Sequence, residues 1–303
     1  MLVVAIVATV ATYLSFRQQV WLRQVENATD RASVESVRQG ALAYASLYLD
    51  EDLRNTKADN LREKWAQPLV LPIEGGQVAI QARDAQARFN LNNVLRNNAP
   101  STNDIAVLQR LLKGLKLDPG LVEALVDWVD ADSQSRPNGA EDIEYGTASP
   151  PYRAGNQPLQ SVDELRLVKG FTREVVETLR PFVIALPNAT EINVNTASEP
   201  VLAALFPAGG DTIAKQIVQA RDARPFEDTG ELQRALPPGT AMPQPAPVVQ
   251  TSYFIADIDV RVGRLWSRTE ALINRAGNNQ TKVLWQRARP IQITTDESES
   301  KGT

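Results

Sequence analysis

The chain has 303 residues, 36 acidic against 32 basic, with neither cysteine nor histidine. That composition excludes disulfides, thiolate or imidazole metal centres, cysteine nucleophiles and any histidine general base, and leaves oxygen ligands, hence Ca²⁺ or Mg²⁺, for any metal. A net charge of −4 gives no global field that attracts nucleic acid, and the length leaves room for more than one core.

The first element is an almost uninterrupted apolar run from Met1 to Phe16, and no Pro or Gly occurs before Gly40. Beyond it Val34, Val37, Ala41, Tyr44, Tyr48 and Leu49 keep helical spacing among Arg17, Arg23, Glu26, Asp30, Arg31 and Glu35. One helix is therefore expected from Met1 to about Leu53, roughly 80 Å long at 1.5 Å per residue. Its apolar start lacks the basic n-region of a secretory signal and falls short of the about 20 residues of a membrane span. It reads either as an anchor whose first residues precede this chain or as a buried helix.

Residues 54–77 leave the helix, with Pro68 and Pro72 breaking regularity and Glu74-Gly75-Gly76-Gln77 supplying a turn. Val78–Arg83 reads as a strand. The asparagines of Phe89-Asn90-Leu91-Asn92-Asn93 suit turns and caps. From Ser101 to about Ala235 the pattern is helical. It echoes itself as helix, glycine turn, helix around Gly114 and again around Gly170, so two helical hairpins are expected. A third helical piece is expected at Glu191–Ala197, continuing through Val201, Leu205 and Ile213–Arg221. After the Pro-rich stretch Pro237–Pro247, three β-like runs follow: Tyr253–Val262, Ser267–Asn274 and Lys282–Arg287, separated at Gly263 and Gly277-Asn278-Asn279. Residues 291–303 are polar and expected to be unstructured.

The fold class that follows is α+β: a long N-terminal helix packed on an antiparallel sheet, with a large all-α insertion between strands. The divisions are 1–25 for the apolar helix, 26–95 for the remaining helix and first strand, 96–240 for the insertion, 241–290 for the C-terminal strands and 291–303 for the tail.

Within the insertion, the loop 127–158 is rich in Pro, Gly and carboxylates. Asp130 and Asp132 are two apart and Glu141 is twelfth counting from Asp130, as in an EF-hand. The sixth position is Ser135 rather than Gly, so this is not an EF-hand. Six carboxylates lie between Asp127 and Glu144, with Arg136 and Arg153 the only bases from Asp127 to Asn156. The loop is either an irregular Ca²⁺ site drawing on Asp127, Asp130, Asp132, Glu141 and Asp142, with the Asn156 carbonyl, or a solvated acidic loop. On spacing alone the solvated loop is the simpler reading.

The segment Ile192-Asn193-Val194-Asn195-Thr196-Ala197, with Phe226 and Glu231-Leu232, has the look of a helix-hairpin-helix DNA-binding element. Pro207-Ala208-Gly209-Gly210 replaces its usual Gly-x-Gly hairpin, and residues 188–236 hold seven acids against four bases, the wrong sign for phosphate. A packing role is expected instead. No nucleophile has a base partner, so no catalytic constellation is present and no small-molecule substrate is indicated.

Several of these landmarks occur together in one family. The chain resembles the K-type minor pseudopilins of the bacterial type II secretion system in Trp65-Ala66-Gln67-Pro68-Leu69, Phe89-Asn90-Leu91-Asn92-Asn93 and Asp127-Trp128-Val129-Asp130-Ala131-Asp132. It does so again in Gly139-Ala140-Glu141-Asp142, Tyr152-Arg153-Ala154-Gly155-Asn156-Gln157-Pro158 and Ile192-Asn193-Val194-Asn195-Thr196-Ala197. The resemblance implies a pseudopilin fold, Ca²⁺ in the acidic loop and a non-enzymatic role at the tip of a periplasmic pseudopilus beside I- and J-type minor pseudopilins. It also implies a single-pass inner-membrane helix before assembly, residues 1–25 here. Prepilins carry a basic leader that is cleaved and the new N-terminus methylated; this chain starts inside the apolar helix, so that site cannot be read. The glutamate most pilins carry near that terminus is absent, as is typical of the K type.

Overall fold

The computed structural model describes residues 2–275 and 281–289; the expected turn at Gly277-Asn278-Asn279 and the tail 291–303 lie outside them. With no early helix breaker, α1 (Leu2–Asn55) runs unbroken for 54 residues. Its buried stripe is Ala41, Leu42, Ala45 and Leu49, while Tyr44 lies off the stripe and is exposed. Leu2, Val3, Ile6, Val7, Val10, Tyr13, Leu14 and Phe16 are all exposed apolar residues.

Residues 69–73, read above as irregular, form β1 (Leu69–Ile73), which turns at Glu74-Gly75 into antiparallel β2 (Gly76–Asp84), pairing Leu69 with Ile80 and Ile73 with Gly76. Pro72 misled the sequence reading. β1 is an edge strand, where a residue without an N–H costs no ladder bond. In β2, Val78, Ile80 and Ala82 alternate inward.

After β2 the chain makes a 3-10 turn at Ala85–Ala87, β3 (Phe89–Asn90), a second 3-10 turn at Leu91–Val94, and the small pair β4 (Leu95–Arg96) and β5 (Ala99–Pro100). Ser101 caps α2 (Thr102–Gly114), and α3 (Leu121–Val129) follows as the first helical hairpin. Then come α4 (Asp142–Tyr145), a 3-10 stretch Val162–Leu167, α5 (Arg173–Leu179) and β6 (Val183–Ile184), parallel to β3. The second expected hairpin is thus half 3-10. Helices α6 (Glu199–Leu205), α7 (Gly210–Ala223) and α8 (Thr229–Ala235) complete the insertion. The chain then returns as β7 (Tyr253–Val262), β8 (Leu265–Asn274) and β9 (Lys282–Ala288). The sheet order is β1-β2-β7-β8-β9, so strands far apart in sequence, β2 and β7, are hydrogen-bonded neighbours.

Two compact units result. One comprises Met1–Glu51, Gln67–Arg83 and Ile255–Thr303, the helix-on-sheet unit; the other comprises Asp52–Ala66 and Asp84–Phe254, the helical unit. The core of the helical unit gathers Phe89, Leu91, Leu108, Leu111, Leu112, Leu125, Leu165, Leu179 and Leu202.

Asparagine side chains do the work of missing strands there. Asn92 Nδ2 donates to the carbonyls of Leu159 and Leu186, both at 2.9 Å, and its Oδ1 accepts from Leu159 N–H at 2.8 Å. Asn93 makes the same two-way pairing with Thr190, and Asn195 with Phe226.

The helical unit also clasps its own entry and exit. Buried Asp84 accepts from the hydroxyls of Thr251 and Thr196, both at 2.5 Å, and from Asn193 Nδ2 at 2.9 Å, while Thr251 N–H donates to Asp59 at 2.6 Å. Burial pushes Asp84 up to about 6 despite these donors, and the nearby Asp59 adds to the rise. Burial likewise raises Glu63 to about 7, helped by Asp52 and Asp59. Folded-state values above the unfolded ones mean this stability is fully present below the unfolded values of 3.8 and 4.5 and is lost as pH rises from there to about 6 for Asp84 and about 7 for Glu63. Between about pH 4 and pH 6.5 the Asp84→Asn variant is therefore expected to show a flatter melting-temperature profile than the unaltered chain.

Candidate metal centre

Helix α3 buries Val122, Leu125, Val126 and Trp128 and delivers Asp127 and Asp130 at its C-terminal end, where the helix dipole is itself negative. Asp130 ends the helix, its N–H donating to the Val126 carbonyl at 2.9 Å. Glu141 precedes α4 and donates its N–H to Glu144 at 2.9 Å. The fold between them brings carboxylate oxygens of Asp130, Asp132 and Glu141 within 4.8 Å of one another. Ligands held 2.3–2.6 Å from one Ca²⁺ fall within about 5 Å of each other, so the spacing suits that ion.

The electrostatics agree. Asp127 Oδ1, Asp130 Oδ1 and Glu141 Oε1 are buried and accept no hydrogen bond among the described residues. Burial first, and then Asp132 and Asp127, pushes Asp130 up to about 6. Glu141 rises to about 7 through burial and the four neighbouring aspartates, and burial raises Asp127 as well. Arg136 turns away to Glu123 at 2.7 Å. Arg153 only grazes Asp142 at 4.0 Å, with most of its side chain in solvent.

The six expected residues divide by role. Asp130, Asp132 and Glu141 form the cluster. Asp127 sits behind it, its Oδ2 accepting from Arg136 N–H at 3.0 Å. Asp142 and Asn156 shape the returning strand of the loop: Asp142 accepts from Ala154 N–H and Asn156 N–H donates to the Trp128 carbonyl, both at 2.9 Å. Tyr145 and Tyr152 stack and Trp128 meets both edge-on, with ring centroids 5.1–6.2 Å apart. The donor set fits a hard divalent cation.

Sequence reading missed Lys169, whose Nζ donates to the Gly139 carbonyl at 2.9 Å from 30 residues away. It named Gly139 only as part of a landmark and missed its close approach to Asp127, where an added Cβ would lie 1.9 Å from Oδ2. Gly139→Ala should push Asp127 out of place and weaken cation affinity by about tenfold or more, read by calorimetric titration. The carboxylate group of Asp52, Asp59 and Glu63 was missed as well, because 52 and 63 straddle the end of α1 and show no ligand spacing.

The segment Glu191–Ala197, expected to be helical, is extended and turned. Arg221 is buried and donates to the carbonyls of Val194 and Ala197, both at 2.6 Å. Its guanidinium therefore braces the fold and is not presented to phosphate.

Residues 87–188 and 192–251 match the two family models described as type II secretion system (T2SS), protein K. Type II secretion system protein K of Pseudomonas aeruginosa is 33% identical over 94% of this chain and 89% of that protein. The chain belongs to the type II secretion system protein K family. The namesake from Klebsiella pneumoniae is 33% identical over 98% of this chain and 96% of its own length. A chain in the crystal structure of the GspK-GspI-GspJ complex from enterotoxigenic Escherichia coli superposes with a TM-score of 0.76 at 28% identity, covering 88% of this chain and 100% of that one. The protein is thus a minor pseudopilin, and the helix-on-sheet unit with its helical insertion is the fold of that family. Nothing found favours a nucleic-acid role. Among the described residues no helix is long and apolar enough to cross a membrane.

Proposed function

We infer that this minor pseudopilin caps the pseudopilus tip as a non-enzymatic subunit, assembled with I- and J-type minor pseudopilins in export of folded proteins across the outer membrane. The observation that carries the reading is the match to a chain of the GspK-GspI-GspJ complex, which spans the whole of that chain. The exposed apolar residues along the first turns of α1 supply a surface that water does not tolerate. In this reading residues 1–25 lie in the inner membrane before assembly, with the rest in the periplasm, and pack among neighbouring helices afterwards. The acidic loop holds Ca²⁺ through Asp130, Asp132 and Glu141, with Asp127 behind them and Asp142 and Asn156 shaping the loop. Bound there, Ca²⁺ would supply the positive charge that offsets the repulsion among the three carboxylates. Co-expression with I- and J-type partners tests the assembly: a stable complex of the three is expected, and a chain that elutes alone under conditions where the other two pair would overturn it.

A further inference from the structure

The sheet has two faces of different character. One meets α1; the other carries charge. On that outer face Arg83 of β2 donates to Asp257 of β7 at 2.6 Å and reaches Glu270 of β8 at 3.2 Å. Arg268 grips Asp259 with two bonds, 2.7 and 3.1 Å. Glu270, nearly buried, is also approached by Arg287 at 3.8 Å and by Arg289, whose N–H continues the ladder to the Arg268 carbonyl. Strand alternation puts Arg261 on the same face, and Arg264 follows at the β7–β8 turn; both are exposed and make no ion pair among the described residues. Five arginines against three carboxylates leave this face at +2, with Arg264 and Glu74 offsetting each other at the adjoining turns, in a chain whose net charge is −4.

Two tryptophans lie among those arginines. Trp266 is 41% exposed, with the Arg268 guanidinium 5.6 Å from its ring. The Arg287 guanidinium sits 3.8 Å from the Trp285 ring. These contacts and the carboxylate pairs hold the guanidiniums of Arg83, Arg268 and Arg287 in fixed orientations and leave Arg261 and Arg264 open to a partner. Arginine and tryptophan are the residues that dominate protein–protein hot spots.

We propose that this outer sheet face docks an acidic protein segment, with Arg261 and Arg264 taking its carboxylates and Trp266 its apolar side chains. The chemistry favours a protein over a polyphosphate chain. Every cation on the face is arginine, whose fork matches carboxylates in plane. Asp257 and Asp259, each about a third exposed, would repel a uniform line of phosphates but can accept donors from a mixed protein surface.

The test uses the full chain in non-ionic detergent and a fluorescein-labelled Glu/Tyr copolymer, followed by anisotropy at low ionic strength. Saturable binding is expected. Arg261→Glu with Arg264→Glu should weaken it about tenfold or more, and Trp266→Ala about threefold or more, the size of a hot-spot loss. Lys113→Glu with Lys116→Glu, on and just beyond α2, should leave it unchanged. All these side chains are exposed, so unchanged melting curves will confirm that folding is intact. Absent binding, equal losses in the α2 variant, or no loss in the face variants overturns the docking surface. Displacement of the copolymer by duplex DNA at lower charge-equivalent concentration overturns the acidic-protein assignment.

Discussion

Chelating divalent cations is expected to lower the melting temperature of the helical unit by about 5–10 °C, from about 2.7 kcal/mol of linkage at a hundred times Kd. The physical basis is the carboxylate trio. Two unit charges at about 4 Å and an effective dielectric of about 20 repel by about 4 kcal/mol, and Asp130, Asp132 and Glu141 form three such pairs. Without a cation, burial and the neighbouring carboxylates push Asp130 up to about 6 and Glu141 up to about 7. Ca²⁺ should restore the melting temperature better than Mg²⁺, because carboxylates set at irregular positions in a loop suit an ion with flexible geometry and six to eight ligands. Asp132→Ala combined with Glu141→Ala should abolish the response. Identical melting curves with and without chelator, in protein shown to be metal-free, would remove calcium from the account and leave the family assignment intact.

The second large effect is expected at Asn92. Its amide closes three buried hydrogen bonds to two separate segments, at Leu159 and at Leu186. Asn92→Ala strands two carbonyls and one N–H away from water, each at about 1–3 kcal/mol, so a loss of roughly 3–5 kcal/mol is expected in denaturant unfolding. Asn92→Asp keeps the acceptor for Leu159 N–H but turns two donor contacts into repulsions, and should be at least as destabilising. A loss below about 1 kcal/mol in both variants would show that the amide merely fills space.

How far the sequence reaches is clear from particular residues. Helical spacing with no Pro and no Gly before Gly40 revealed α1 nearly to its last turn, and period-two alternation revealed β7, β8 and β9. The acidic loop was conspicuous because its charge is concentrated in a short stretch. Which of its carboxylates converge was not, since that depends on α3 ending at Asp130 and on Gly139 passing close to Asp127. β1 was hidden because Pro72 is forbidden inside a sheet and tolerated at its edge. The asparagines were read as turn formers, which they are, but their larger role is long-range: Asn93 bonds Thr190, 97 residues away. The segment 191–197 has helix-compatible residues and is extended because Arg221 and Phe226 fix its carbonyls and amides from other elements. Local patterns report local structure; partners a hundred residues away leave no periodic trace.

The clasp at Asp84 and Thr251 bears on the order in which the chain acquires structure. Arg83 and Asp257 face each other across β2 and β7 although 174 positions separate them. Joining those strands directly from a disordered chain closes a loop whose entropy cost, (3/2)RT ln n, is about 4.5 kcal/mol plus a constant. The helical unit has its own core and ties Asp84, where its longer segment begins, to Thr251 by a hydrogen bond inside itself. Once it has condensed, most of that loop is already closed and β7 arrives beside β2 at little further cost. The sheet is then the last part to form, and its assembly rate is set by the unit inserted into it. Stopped-flow refolding should find Thr251→Val slowing β-sheet formation while leaving the early helical phase at its original rate.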